Sequence, residues 1–124
     1  MVFLLSKNKG EQRVKRGQVW IAELGGASGC EQAGARPVLI IQNDVGNYFS
    51  PTVIVAALTD AKKRYMPTHV NIKAQLGLYK DSTVLLEQIR TIDKKKVKKF
   101  VCTLPTDVMR EVDSKILFSL GMNG

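Results

Sequence analysis

At 124 residues, with nineteen Lys and Arg against eleven Asp and Glu and a formal charge of +8, the chain can bury one modest core but cannot hold a separate cofactor domain. The positive balance favours a polyanionic partner, with nucleic acid ahead of a small acidic substrate. Cys30 and Cys102 share no CxxC spacing and have a single histidine to join them, which excludes a zinc site.

The opening Val2-Phe3-Leu4-Leu5 is apolar but stops there. It falls short of a signal-peptide core and of a membrane span, so a cytoplasmic protein with reduced thiols is expected. Residues 6–13 are polar; residues 1–13 read as a loosely ordered extension and 14–124 as the folded domain. Gln18 to Leu24 carries β-branched and aromatic residues and predicts a strand. The glycine-bearing segment Gly25 to Arg36 predicts a long loop. Pro37 to Gln42 is a continuous apolar strand, Asp44 to Thr52 is punctuated like a turn, and Val53 to Leu58 is apolar again. Thr68 to Ile72, Thr83 to Gln88 and Lys99 to Leu104 complete about six short strands. After Pro105 the apolar positions Val108, Val112, Ile116 and Leu120 recur one helical turn apart, with Gly121 as a stop. The expected fold is mainly β, a small barrel covered by a C-terminal amphipathic helix.

Arg36 stands where the flexible loop meets a buried strand. There its planar fork of donors can meet a phosphate while the glycines let the loop adapt to a flexible ligand. No Walker or Rossmann glycine pattern precedes a predicted helix, so nucleotide hydrolysis and hydride transfer have no support. The run Lys94-Lys95-Lys96-Val97-Lys98-Lys99 is the strongest local positive cluster and reads as a solvated turn that steers at most.

Several motifs in one order carry a resemblance: Arg16-Gly17-Gln18-Val19-Trp20, Gly29 through Pro37, Ile41-Gln42-Asn43-Asp44, Ala57-Leu58-Thr59, and Leu85 through Asp93. From about residue 14 to the C-terminus the chain resembles the MazF/PemK toxins, close to the Bacillus type. The resemblance implies an SH3-like barrel of the PemK/CcdB kind. It also implies a ribosome-independent, metal-independent endoribonuclease of a toxin-antitoxin system that cuts single-stranded RNA at short motifs and needs no cofactor. It implies a homodimer, silenced by an acidic, partly disordered MazE-like antitoxin that occupies the RNA groove. Contact with DNA would be indirect, through the antitoxin complex, and no membrane is involved.

Metal-free RNA cleavage uses the 2′-hydroxyl as nucleophile. The enzyme must help remove that proton, stabilise the phosphoryl charge and protonate the departing 5′-oxygen, leaving a cyclic phosphate and a 5′-hydroxyl. Arg36 and Thr59 match the family's catalytic arginine and threonine. Arg36 stays charged at any working pH and suits phosphate binding and charge stabilisation. Thr59 offers a short rigid hydroxyl to a phosphoryl oxygen or the attacking group. Glu31 matches a loop glutamate and stands behind these two as the candidate for proton removal. Gln32, Glu87 and Gln88 match polar groove positions that read base edges, and Met66-Pro67-Thr68 matches an apolar lip that stacks on a base. Cys30 stands where the family commonly has serine; its thiol hydrogen-bonds more weakly, so an RNA contact there is altered. His69 is expected on a distant strand, which leaves Cys30 an ordinary thiol rather than a nucleophile. The alternative is a nonenzymatic barrel, a toxin of the gyrase-poison type or an RNA-binding module.

Overall fold

In a computed structural model, which describes residues 14–26, 32–61 and 65–122, one six-stranded sheet runs in the order β4-β5-β3-β2-β1-β6. The strands are β1 (Gln18–Glu23), β2 (Ala35–Ile40), β3 (Thr52–Asp60), β4 (His69–Ile72), β5 (Ser82–Asp93) and β6 (Val97–Thr103), and every pair is antiparallel. The extension 1–13, Cys30 and Glu31 lie outside the described residues. Alternation divides the apolar side chains between two faces. Val19, Leu39, Ala56 and Leu58 join one cluster, while Trp20, Ala22, Val38, Ile40, Val53 and Val55 join another. Helix α2 (Thr106–Ser119) lays Val108, Met109, Val112 and Ile116 on the first cluster. Residue 121, a glycine at φ +73°, follows its end, as the turn spacing predicts.

The sheet curls without a ladder between its two edge strands. Contact between them comes from the loop after β4, where Gly77 lies so close to β6 that a Cβ there would meet the Val101 carbonyl oxygen at 1.9 Å. Only glycine fits that approach, and its φ of +91° suits glycine as well.

One element departs from the sequence reading. The segment after Gln42 is a short helix, α1 (Asp44–Phe49), rather than a turn. Asn43 caps it by accepting the Gly46 N–H at 2.8 Å. Buried Gln42 donates to Asn47 Oδ1 and to the Thr52 carbonyl, both at 3.1 Å, and Asn47 returns a bond to the Gln42 carbonyl at 2.9 Å. The Gln42-Asn43-Asp44 motif therefore builds a corner, and its amides are consumed internally.

Strand β5 is longer than expected because it serves two neighbours. Between the pairs Ala56↔Ile89 and Leu58↔Val84, β3 advances two residues (56 to 58) while β5 advances five (84 to 89). The surplus makes a bend at Leu85–Gln88. The first part of β5, as far as Leu85 at the start of the bend, lies between β4, paired from His69↔Leu85 to Ile72↔Ser82, and the end of β3, while the part after the bend pairs with the start of β3.

Candidate active site

The ladder between β2 and β3 ends at Val38↔Ala57. The next residue of β2 is Pro37, which has no N–H to donate. Carrying the same register two residues further along each strand sets Arg36 across from Thr59, on the face that bears Val38. The two sequence candidates thus share one end of one strand pair, just beyond its last ladder rung. Thr59 is half-buried and pairs through its backbone with Thr83 of β5.

Arg36 is anchored at one point. Its Nε donates to the Ala33 carbonyl at 3.2 Å, and among the described residues its Nη groups have no partner. This turns the outer edge of the guanidinium into a ready pair of donors for an anion. The hairpin leading to it continues past the strands, with Leu24 N–H donating to the Gly34 carbonyl at 2.9 Å and Gly34 N–H to the Gly25 carbonyl at 2.8 Å. Gly34 adopts φ +75°, a conformation that closes this turn without strain.

Strand β5 grips the same loop from the side. The Gln88 Oε1 accepts the Gln32 N–H at 3.2 Å, while Arg90 reaches the Gln32 carbonyl at 3.5 Å and the Leu24 carbonyl at 3.4 Å. Gln32 and Gln88, both groove candidates, therefore meet each other. Arg90 is not among the candidates; its only signal in the sequence is that it is the one arginine inside the Leu85–Asp93 motif.

Next to Gln88, the bend presents Glu87. Its Oε1 accepts from the Thr68 hydroxyl at 2.8 Å, and its Oε2 lies 3.2 Å from His69 Nε2. Burial alone would push this carboxyl up, but bonds from its own backbone N–H, Thr68 and His69 hold it below its ordinary value. Met66 and Pro67 are exposed beside it, and the Met66 carbonyl accepts the His69 N–H at 2.9 Å. Tyr65 is tied to α2 by Lys115, whose Nζ donates to its hydroxyl at 2.8 Å. Apart from Thr59, the described candidates form a connected arc: Arg36 to Ala33, the adjoining Gln32 to Gln88, and the adjoining Glu87 to Thr68. The β4–β5 pairing brings His69 to Glu87, while Cys30, from which it is expected to stand apart, lies outside the described residues. Among the described residues, no three His, Cys, Asp or Glu side chains gather as a metal site would require.

An arginine with open donors, a hydroxyl opposite it and a wall of amides and a carboxylate suit a ligand with alternating phosphates and bases. Among the described residues, no helix is long and apolar enough to cross a membrane. Residues 15–120 match the family model described as PemK-like, MazF-like toxin of type II toxin-antitoxin system. The chain is 54% identical over 112 residues to the endoribonuclease MazF of Staphylococcus epidermidis, covering 89% of this chain and 93% of that one. The crystal structure of MazF from Deinococcus radiodurans superposes with a TM-score of 0.77 at 26% identity, covering 90% of this chain and 100% of that one. An endoribonuclease from a mycobacterial species, solved with its cognate antitoxin, gives a TM-score of 0.75 at 25% identity and covers 90% and 98%. The MazE-MazF complex of Deinococcus radiodurans gives 0.73 at 26% identity, covering 91% and 100%. By sequence along nearly its whole length and by the curled six-stranded sheet with its C-terminal helix, the chain belongs to the PemK-like, MazF-like toxins of type II toxin-antitoxin systems.

Proposed function

We propose that this toxin is an endoribonuclease that cuts single-stranded RNA at a short sequence by attack of the 2′-hydroxyl on the adjacent phosphorus, without a metal. The 2′-oxygen forms a bond to phosphorus as the bond to the 5′-oxygen breaks; one proton leaves the 2′-hydroxyl and one reaches the departing oxygen. The products are a 2′,3′-cyclic phosphate and a 5′-hydroxyl. Arg36 binds the scissile phosphate and stabilises the charge that grows on its oxygens. Thr59 donates to a phosphoryl oxygen or aligns the attacking group. Glu31 is the candidate proton acceptor. Gln32, Glu87 and Gln88 read base edges; Met66, Pro67 and Thr68 form the lip that stacks on a base, and Cys30 makes an RNA contact weakened by its thiol.

What supports this reading is the β2–β3 ladder, whose last rung, Val38↔Ala57, lies two residues short of Arg36 on one strand and of Thr59 on the other. The test is to incubate the pure protein with a long single-stranded RNA in excess chelator and map both ends of every fragment. Cyclic phosphate and 5′-hydroxyl termini, absent with Arg36→Ala, are expected. Intact RNA bound to the protein would support a nonenzymatic module instead, and silence in chelator would support a metal nuclease.

The antitoxin partner is an acidic MazE-like chain, as the names of the structural relatives solved with an antitoxin suggest, and it competes with RNA for the basic groove. The toxin acts as a homodimer in the cytoplasm. DNA is reached only through the antitoxin complex.

A further inference from the structure

His69 is 3% exposed, yet its ring does something specific. Nε2 faces Glu87 Oε2 at 3.2 Å, while Nδ1 is buried and has no hydrogen-bond partner among the described residues. A buried N–H without an acceptor is costly, whereas a bare ring nitrogen is less so. A proton on Nε2 therefore has an acceptor in Glu87, whereas one on Nδ1 has none among the described residues. The hydroxyl of Thr68, the preceding residue, holds the other carboxylate oxygen at 2.8 Å. Each oxygen thus has one donor from β4 or the residue before it, and the carboxylate plane is fixed by two bonds at once. Among the described residues, no lysine or arginine pairs with Glu87.

A fixed carboxylate with no lysine or arginine paired to it among the described residues is an odd neighbour for a polyphosphate. It repels phosphate oxygens and can only accept hydrogen bonds, so RNA gains from it only by presenting a donor, either an N–H of a base edge or a ribose 2′-hydroxyl, and of the two only the base N–H carries sequence. We propose that His69 is a positioning residue for sequence reading: with Thr68 it orients Glu87 so that the remaining lone pairs meet the N–H donors of one unstacked base. This rests on the reading of Glu87 as part of the RNA groove.

The test uses a randomised single-stranded RNA library cut by wild type, Glu87→Gln, His69→Leu and His69→Gln, with thermal unfolding of each. Glu87→Gln is expected to erode discrimination at one motif position by about tenfold. His69→Leu erodes the same position by about as much, raises KM on the best site and leaves kcat within about twofold. His69→Gln, which restores an N–H donor, recovers most of the preference. If Glu87→Gln erodes the motif while folded His69→Leu keeps the wild-type profile, or loses kcat evenly across all sites, the positioning role falls and Glu87 keeps its place. If Glu87→Gln leaves the motif intact, the groove reading of Glu87 falls and takes the proposal with it. Should His69→Leu fail to fold, the wild-type ring decides by nitrogen NMR. A proton on Nε2 whose resonance moves on adding a 2′-O-methyl copy of the best-cut RNA supports the role; a proton on Nδ1, or no movement, overturns it.

Discussion

The side-chain carbonyl of Gln88 accepts the backbone N–H of Gln32 at 3.2 Å, joining the bend of β5 to the loop that delivers Arg36. Gln32 lies just before Ala33, whose carbonyl holds the Arg36 Nε, so on the proposed function the bond would act on catalysis through position. Gln88→Leu removes the acceptor while keeping much of the bulk. We expect RNA cleavage to fall by about tenfold in kcat/KM, the size of one lost hydrogen bond, with thermal stability changed by about 1 kcal/mol or less. Steady-state cleavage of one defined RNA beside a melting curve measures both.

Arg36→Ala and Thr59→Val separate charge from position. Arg36 is half-buried and Thr59 lies at a strand end, so neither change opens a cavity in the core. Losing the guanidinium should lower kcat by about a hundredfold to a thousandfold, as for other removed donors to developing anionic charge. Losing the hydroxyl should cost about tenfold to a hundredfold. Circular dichroism should show both proteins folded; unfolding of either would assign the residue a structural task.

Acid should weaken the fold through two carboxyls. Glu87 is held below its ordinary 4.5: burial raises it, but its own backbone N–H, Thr68 and His69 outweigh that. Asp44 is held below 3.8, chiefly by the Arg16 N–H, which reaches it at 2.7 Å. A carboxyl lowered by folding contributes stability that is present above its unfolded value and lost as pH falls through the folded one. Stability is therefore expected to drop as pH falls below about 4.5 for Glu87 and below about 3.8 for Asp44. Urea unfolding across that range should show a shallower slope for Glu87→Gln than for wild type.

Gly77→Ala should be the most damaging small change described here. The added methyl would lie 1.9 Å from the Val101 carbonyl oxygen, on a backbone at φ +91°. The dihedral strain alone is of order 1–3 kcal/mol, and the collision adds to it. Gly121→Ala is the control: φ is +73°, but the space around it is open, so a loss of about 1 kcal/mol is expected. Melting temperatures of the two variants give the comparison.

Much of the fold was legible because two-residue alternation and the four-residue spacing of α2 survive as plain patterns in the chain. The strand positions and the terminal helix follow from them. Helix α1 was not legible: glycine, asparagine and serine within 44–52 look like a turn, and the Asn43 cap and the Gln42–Asn47 amide bonds that hold the helix form only in three dimensions. Arg36 and Thr59 are candidates through motif resemblance, and the β2–β3 register, ending at Val38↔Ala57, puts both at the same end of that strand pair. His69 and Arg90 were passed over because their partners lie on other strands, at sequence distances of 18 for His69 to Glu87 and 66 for Arg90 to Leu24. No local pattern encodes such pairings.

The bend at Leu85–Gln88 has an evolutionary corollary. One short stretch of backbone carries the side chains proposed to meet the bases and braces the hairpin that carries the Arg36 guanidinium, so inserting or deleting a residue there would shift both together. On the proposed reading, exchanging side chains on this stretch would alter cleavage preference, whereas changing its length would disturb the phosphate site as well.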